Sequence, residues 1–521
     1  MSQKRLAKNI GVMSVAVFLS RILGLVRDQV MSYYFGTTYL NDAFNVAYNI
    51  PNLIRRLFGE GALSAAFVPI YNEIGVNKGK KEQFTFAINI LSILTLFLTV
   101  LTIIGIAAAP LIVKLLYPGL PSNTLILAVK LCRIMFPYLF FIGISSTFIA
   151  ILNSHDFFFM TGLSSAMLNL GMLATIITPS LLYNYSNEAL IEWAGWGVFW
   201  GGLLQTIVNF PYLKKIGYSF KILIRFSGQA VSALWKRFVP AMIGIGIREI
   251  NLVADALMAS FLPVGSITAL GLGNRLMQLP LGIFGISTGT AVLPMFSRYI
   301  QNQQWDDLSN SFKFTTISLA VIMIPITVII GILGNDFIYV LFQHGVFDTK
   351  AALMTYQALL FYSLGLLFFS LNQTITPLFY ANKDTKTPVK IAACMVAINV
   401  ILNFILMQII QHRGLALSTS ITGMINYLVL LHFIKKSIPE LTYKGIFKQI
   451  ITITGISAFL MIPLYLLNGY FSYNNLWQIA IKDICLITLY FVFYIILSSL
   501  FHVSYVTELR IKLWKIVVRN T

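Results

Sequence analysis

Charged side chains stand in this chain where few occur. In the stretch FLSRILGLVRDQV, residues 18–30, Arg21, Arg27 and Asp28 interrupt an apolar run. On a helix, Ser20, Arg21, Gly24, Arg27 and Asp28 fall on one face about 120° wide, and Ile22, Leu23, Leu25, Val26 and Val30 cover the rest. A second segment repeats the pattern. Asp42, Asn45, Asn49, Asn52, Arg56 and Glu60 share an arc, with Arg55 at its edge. Further on, Arg248, Asn251 and Asp255 align, and so do Asn274, Arg275, Gln278, Gly282, Gly285 and Gly289. Guanidinium groups grip phosphates and carboxylates through paired hydrogen bonds, so the chemistry these faces suit is anion recognition. Catalysis has less support. His155, His344, His412, His432 and His502 are scattered singly, and no pair has metal-ligand spacing.

The elements that position these residues are membrane helices. The chain has 521 residues, 57% of them hydrophobic and 11% charged. A soluble domain carries about 25% charged residues. Apolar segments separated by turn signals predict fourteen helices, over 9–35, 40–72, 85–116, 124–151, 158–183, 190–213, 229–261, 266–297, 314–341, 351–380, 387–409, 414–434, 449–468 and 477–501. An arginine at the bilayer centre costs roughly 3 kcal/mol, so Arg21, Arg27 and Arg275 facing lipid would cost on the order of 10 kcal/mol together. They must face water, acidic partners or a ligand. Internal pairs such as Arg27 with Asp28 or Asp42 account for part of the charge. The cations Arg21, Arg27, Arg55, Arg56, Arg248 and Arg275 outnumber Asp28, Asp42, Glu60, Glu249 and Asp255. Glu60 and Glu249 are assigned to helix ends or away from the main face. A slightly cationic, Asn-lined central cavity is the expectation.

The formal charge of +19 follows from membrane topology. With the N-terminus in the cytoplasm, 25 of the 37 Lys and Arg lie in cytoplasmic segments, and only Lys350 and Arg413 lie opposite. Both termini are therefore expected inside, and nucleic acid is not needed to explain the charge. The basic N-terminus MSQKRLAKNI reads as the start of a retained first helix. Cys132, Cys394 and Cys485 fall in apolar segments and read as packing residues. External loops are too short to fold a soluble catalytic domain.

An internal repeat organises the helices. RILGLVRDQVMSYYF, residues 21–35, matches REINLVADALMASFL, residues 248–262, at Arg, Leu, Val, Asp and Met. Pro69 falls against Pro294, Asn153 near Asn382, and Asn169 near Asn399. The expected domains are a six-helix bundle over 1–213, a cytoplasmic linker over 214–228 and a second six-helix bundle over 229–437. A further helix pair over 438–502 and a basic cytoplasmic tail over 503–521 complete the chain. Parallel repeats of this kind are a transporter architecture.

The segments LSRILGLVRD, NDAFNVAYNIPNLIRRLFGEGALSAAFVPIYNE, LGNRLMQLPLGIFGISTGTAVLPMFSRY and NKDTKTPVK closely resemble the MviN/MurJ family of bacterial lipid II flippases. That family belongs to the multidrug/oligosaccharidyl-lipid/polysaccharide exporter superfamily. The resemblance implies a transporter of the bacterial inner membrane. It would move the undecaprenyl-diphosphate-linked peptidoglycan precursor from the inner to the outer leaflet by alternating access. The family's essential arginines match Arg21, Arg27, Arg55 and Arg275, and its acidic cavity residues match Asp28 and Asp42. Asn49 and Arg56 join the expected substrate-binding set from the helix faces. The resemblance also implies a sodium ion beside Asp255, although Val400 stands where a polar partner is expected. No other cofactor is expected; coupling falls to an ion, sodium or proton, and to membrane potential. The expected partners are lipid II, membrane lipids and other cell-wall synthesis proteins, with no nucleic acid and a monomeric state. The last helix pair resembles the family's groove for the isoprenoid tail. Alternatives are a related exporter of another polyprenyl-linked glycan or of drugs, and a membrane-embedded polyprenyl-phosphate enzyme.

Overall fold

The computed structural model describes residues 3–58, 62–183, 185–471, 475–503 and 505–507. Among them there is no strand. The helices run in chain order as α1 (Gln3–Phe35), α2 (Tyr39–Phe58), α3 (Ala62–Lys78), α4 (Lys80–Leu116), α5 (Ser122–Met135), α6 (Tyr138–Ser154), α7 (Phe158–Leu182), α8 (Asn187–Ile207), α9 (Phe210–Lys215) and α10 (Gln229–Ala259). They continue as α11 (Ser266–Pro280), a π-helical turn (Leu281–Ile286), α12 (Ser287–Gln301), α13 (Trp305–Phe342), α14 (Thr349–Ser363), α15 (Leu366–Ala381), α16 (Lys386–Ile410), α17 (His412–Ser437), α18 (Ile446–Tyr470) and α19 (Leu476–Leu500). Among the described residues, nine spans are long and apolar enough to cross a membrane, or ten if the bent pair α14–α15 is one span. The helices α1, α2, α8 and α10 fall outside that set.

Each predicted segment coincides with a helix or with a broken one. The segment 40–72 divides into α2 and α3, 124–151 into α5 and α6, and 190–213 into α8 and α9. Pro137 and Pro211 sit at two of these breaks, where a missing amide and a fixed φ favour a new first turn. The segment 266–297 contains the wide π turn that follows Pro280. Glu60 and the tail from residue 508 lie outside the described residues, as does the side chain of Arg248.

The chain forms two compact units. The first comprises residues 1–268 with 344–347, and the second comprises 269–343 with 348–521. In the first unit one apolar core joins α1, α2, α4, α5, α7 and α8 around Phe35, Phe44, Val46, Leu131, Phe136 and Ile176. A second core joins α3, α4, α6, α10 and the 214–228 linker around Phe67, Tyr71, Phe86, Phe148, Tyr218 and Phe238. The helices α7 and α8 meet backbone to backbone. A Cβ on Gly171 would lie 2.5 Å from the Cα of Gly201, so larger residues would push the pair apart. After α9 the linker forms no helix over 218–227, and Asn89 of α4 holds it at Arg225 through two bonds. Its Nδ2 donates to the Arg225 carbonyl at 2.9 Å, and its Oδ1 accepts from the Arg225 amide at 2.7 Å.

In the second unit α18 and α19 pack on α13 around Ile317, Leu333, Ile453, Leu460 and Tyr494. A buried ammonium ties the three together. Lys482 Nζ lies 2.7 Å from Asp336 Oδ2, 2.6 Å from Asn468 Oδ1 and 3.4 Å from Asp483 Oδ1. Gly289 of α12 permits contact with α15, since a Cβ there would lie 2.3 Å from the Gln373 carbonyl oxygen. The reading of the cysteines needs one correction. Cys132 is buried, but Cys394 and Cys485 are exposed on their helices. An apolar segment that turns one side toward lipid has no need to bury every small residue.

Candidate substrate-binding site

The charged face of α1 is secured from within. Arg27 donates from Nε and Nη2 to Asp28 Oδ1, at 3.2 and 2.8 Å, and from Nη1 to Asn169 Oδ1 on α7 at 2.9 Å. Both side chains are nearly buried, at 11% and 5% exposure. Asn169 also reaches the Ser20 carbonyl, and Ser165 donates to Ser20 Oγ, so α7 reads the polar face of α1 along its length. Arg21, one turn and a half earlier, is exposed.

The first half of α2 is likewise committed. Asp42 is buried, and its carboxylate accepts from the Gly265 amide at 2.5 Å, the Thr268 amide at 2.9 Å and the Thr268 hydroxyl at 2.7 Å. These amides belong to a helix start, which leaves its first donors without intrahelical partners. Asn45 adds a bond to Thr268 Oγ1 at 3.1 Å, and Asn41 donates to the Gly36 carbonyl at 2.7 Å.

The second half of α2 is different. Asn49, Asn52 and Arg56 line a hollow together with Tyr117, after α4, and Glu249 of α10. Arg56 Nη1 donates to Glu249 Oε2 at 3.2 Å. The arginine is 40% exposed and the glutamate 12%. Arg55 lies alongside, with Nε donating to Asn52 Oδ1 at 2.6 Å. Arg56 thus lines the hollow with Asn49 and Asn52, and Arg55 does not. The hollow contains amides, a phenol and a reachable guanidinium, which is a donor set for an anion.

Of the residues expected to bind substrate, the structure brings Asn49 and Arg56 together in one hollow, with Arg55 beside them. Arg27, Asp28 and Asp42 already have protein partners. Arg275 is exposed on α11. Glu249 is the residue the sequence reading set aside. Its position relative to Leu252, Val253 and Ala256 (i+3, i+4, i+7) marks the face of α10 that lines the hollow, and that spacing was available in the sequence.

Asp255 accepts from Asn251 Nδ2 at 3.4 Å, one turn back on α10. Among the described residues no three His, Cys, Asp or Glu side chains gather around a point that could hold a metal ion.

Nine or ten apolar spans among the described residues, with a polar hollow between α2 and α10 in the first unit, define the class. This is a membrane transport protein and not an enzyme. The chain belongs to the lipid II flippase MurJ family, whose description "Lipid II flippase MurJ" matches residues 31–503. A probable lipid II flippase MurJ of Buchnera aphidicola subsp. Baizongia pistaciae is 33% identical over 425 residues, covering 81% of this chain and 82% of its own. That of Vibrio cholerae is 32% identical over 438 residues, covering 82% of each chain. A solved lipid II flippase MurJ in an inward closed conformation matches with a TM-score of 0.77 and 31% identity, over 94% of this chain and 98% of that one. An inward-facing multidrug resistance MATE transporter shares the fold alone, with a TM-score of 0.68 at 13% identity over 83% of this chain and 99% of that one.

Proposed function

We propose that this protein carries lipid II, the polyprenyl-diphosphate-linked peptidoglycan precursor, from the inner to the outer leaflet of the bacterial inner membrane by alternating access. The observation that carries this reading is the match to the lipid II flippase family over residues 31–503. The hollow supports it chemically. Arg56 offers a guanidinium to a phosphate, and Asn49, Asn52 and Tyr117 offer neutral donors to the sugar and peptide parts of the head group. Both termini lie in the cytoplasm by the distribution of Lys and Arg. Fourteen crossings and the two-bundle repeat belong to the same proposal. Arg21, Arg27, Arg55 and Arg275 are assigned to steps of the cycle by the family pattern. The apolar outer faces of α18 and α19, with Phe459, Ile462, Leu466, Ile484 and Phe493 exposed, offer the isoprenoid tail a surface.

Membrane potential suits this cargo. Two negative charges leaving an inside-negative cell gain about 4–5 kcal/mol per 100 mV if they cross the whole field. Proteoliposomes with and without an imposed potential test this, and equal rates refute it. The function itself is tested by depleting the protein in its own cell and measuring precursor on each leaflet, in a strain with no second flippase. Precursor should accumulate on the inner face. Normal arrival at the outer face overturns the assignment. In the same strain Arg275→Ala should be expressed and inserted but fail to complement.

A further inference from the structure

The ion pair between Arg56 and Glu249 differs from the Arg27–Asp28 pair in three respects. It joins two helices, α2 and α10, across the wall of the hollow. Its contact is made through one nitrogen, Nη1, at 3.2 Å, whereas Arg27 engages partners through Nε, Nη1 and Nη2. Its exposure is lopsided, with the arginine 40% open and the glutamate 12%. A guanidinium held by one long bond and open to the hollow can exchange its anion. A phosphate that presents two oxygens to the guanidinium fork makes the stronger contact.

We propose that Glu249 is an internal counter-anion, which holds Arg56 in the substrate-free protein and is displaced by a phosphate of the cargo. The inference rests on the lipid-diphosphate reading of the site. It has two consequences. Glu249 lowers the affinity for cargo, because each binding event must first separate the pair. Binding also breaks the bridge between α2 and α10, so the occupied protein loses a restraint that the empty one keeps. A ligand shifts a conformational equilibrium only through contacts that differ between the states, and this exchange supplies such a difference. Glu249 is thus a positioning residue. It sets when Arg56 is available and whether α10 is tied to α2.

The experiment compares wild type, Glu249→Gln, Arg56→Gln and the double variant as full-length protein in nanodiscs. The probe is a lipid II analogue with a shortened isoprenoid chain; the matching monophosphate is the control. Equilibrium binding and flipping in proteoliposomes are both measured, and thermal unfolding confirms that each variant is folded. Glu249→Gln should bind the diphosphate about tenfold more tightly, the size of one charge-assisted contact, and should flip it more slowly at saturation. Arg56→Gln should bind more weakly, and Glu249→Gln should then have no further effect on affinity. An unchanged affinity in Glu249→Gln, or a gain that persists without Arg56, overturns the counter-anion while leaving the lipid-diphosphate reading intact. Failure of the wild type to bind the diphosphate more tightly than the monophosphate overturns both.

Discussion

The first unit holds its charges in two ways. Asp28 Oδ1 and both carboxylate oxygens of Asp42 accept bonds from protein donors. Around Arg56 and Glu249 a single longer bond spans a hollow with water-sized room beside it. The first arrangement fixes helices; the second leaves a charge available. The lesson is that an intramembrane charge does not announce a ligand by its presence. Arg27, 11% exposed, meets its cost inside the protein. Arg56 does so only in part, and that difference separates a charge fixed by its neighbours from one open to exchange.

The comparison breaks most easily at Arg27. Arg27→Ala leaves Asp28 buried without its cation, and removing one partner of a buried pair costs about 3–5 kcal/mol. Thermal unfolding of the purified protein should show that loss, and adding Asp28→Asn should recover part of it. If Arg27→Ala is as stable as wild type but inactive, the pair belongs to the site and the distinction fails. Asp42→Ala comes next. It strips the Gly265 and Thr268 amides of their acceptor, for about 2–3 kcal/mol. Asp42→Asn should lose less, because its amide oxygen can still accept. A full loss in Asp42→Asn would mean that the charge matters more than the bonds.

Much of this was legible in the sequence. Apolar length located most helical segments, because hydrocarbon thickness constrains a span regardless of its neighbours, and nine or ten spans pass that test among the described residues. The periodicity of α2 groups Asn49, Asn52 and Arg56, which recur at helical spacing and line the hollow. What periodicity could not supply was the identity of partners distant in sequence. Asn169 for Arg27, the Gly265–Thr268 turn for Asp42 and Glu249 for Arg56 all come from other helices. The repeat shows the same limit. Asp28 aligns with Asp255, but Arg27 aligns with Ala254, so the copy on α10 lacks the adjacent cation and takes a bond from Asn251 instead. A shared pattern of types does not carry a shared pattern of contacts. The breaks at Pro137 and Pro211 were readable in principle, but tertiary packing decides whether such a proline kinks a helix or ends it.

The smallest expected effect sharpens the comparison most. Half-exposed pairs contribute up to about 1 kcal/mol, so Glu249→Gln should barely move the unfolding midpoint. The wild-type contribution should also fade with salt, because mobile ions reach Arg56 from the hollow. The Arg27–Asp28 pair is shielded from those ions, and its contribution should persist. Unfolding midpoints for wild type, Glu249→Gln and Arg27→Ala at low and high salt separate the cases. The gap between wild type and Glu249→Gln should close while the gap to Arg27→Ala stays open. If the two gaps shrink in proportion, solvent reaches both pairs alike, and the division between a fixed and an exchangeable charge has no physical basis.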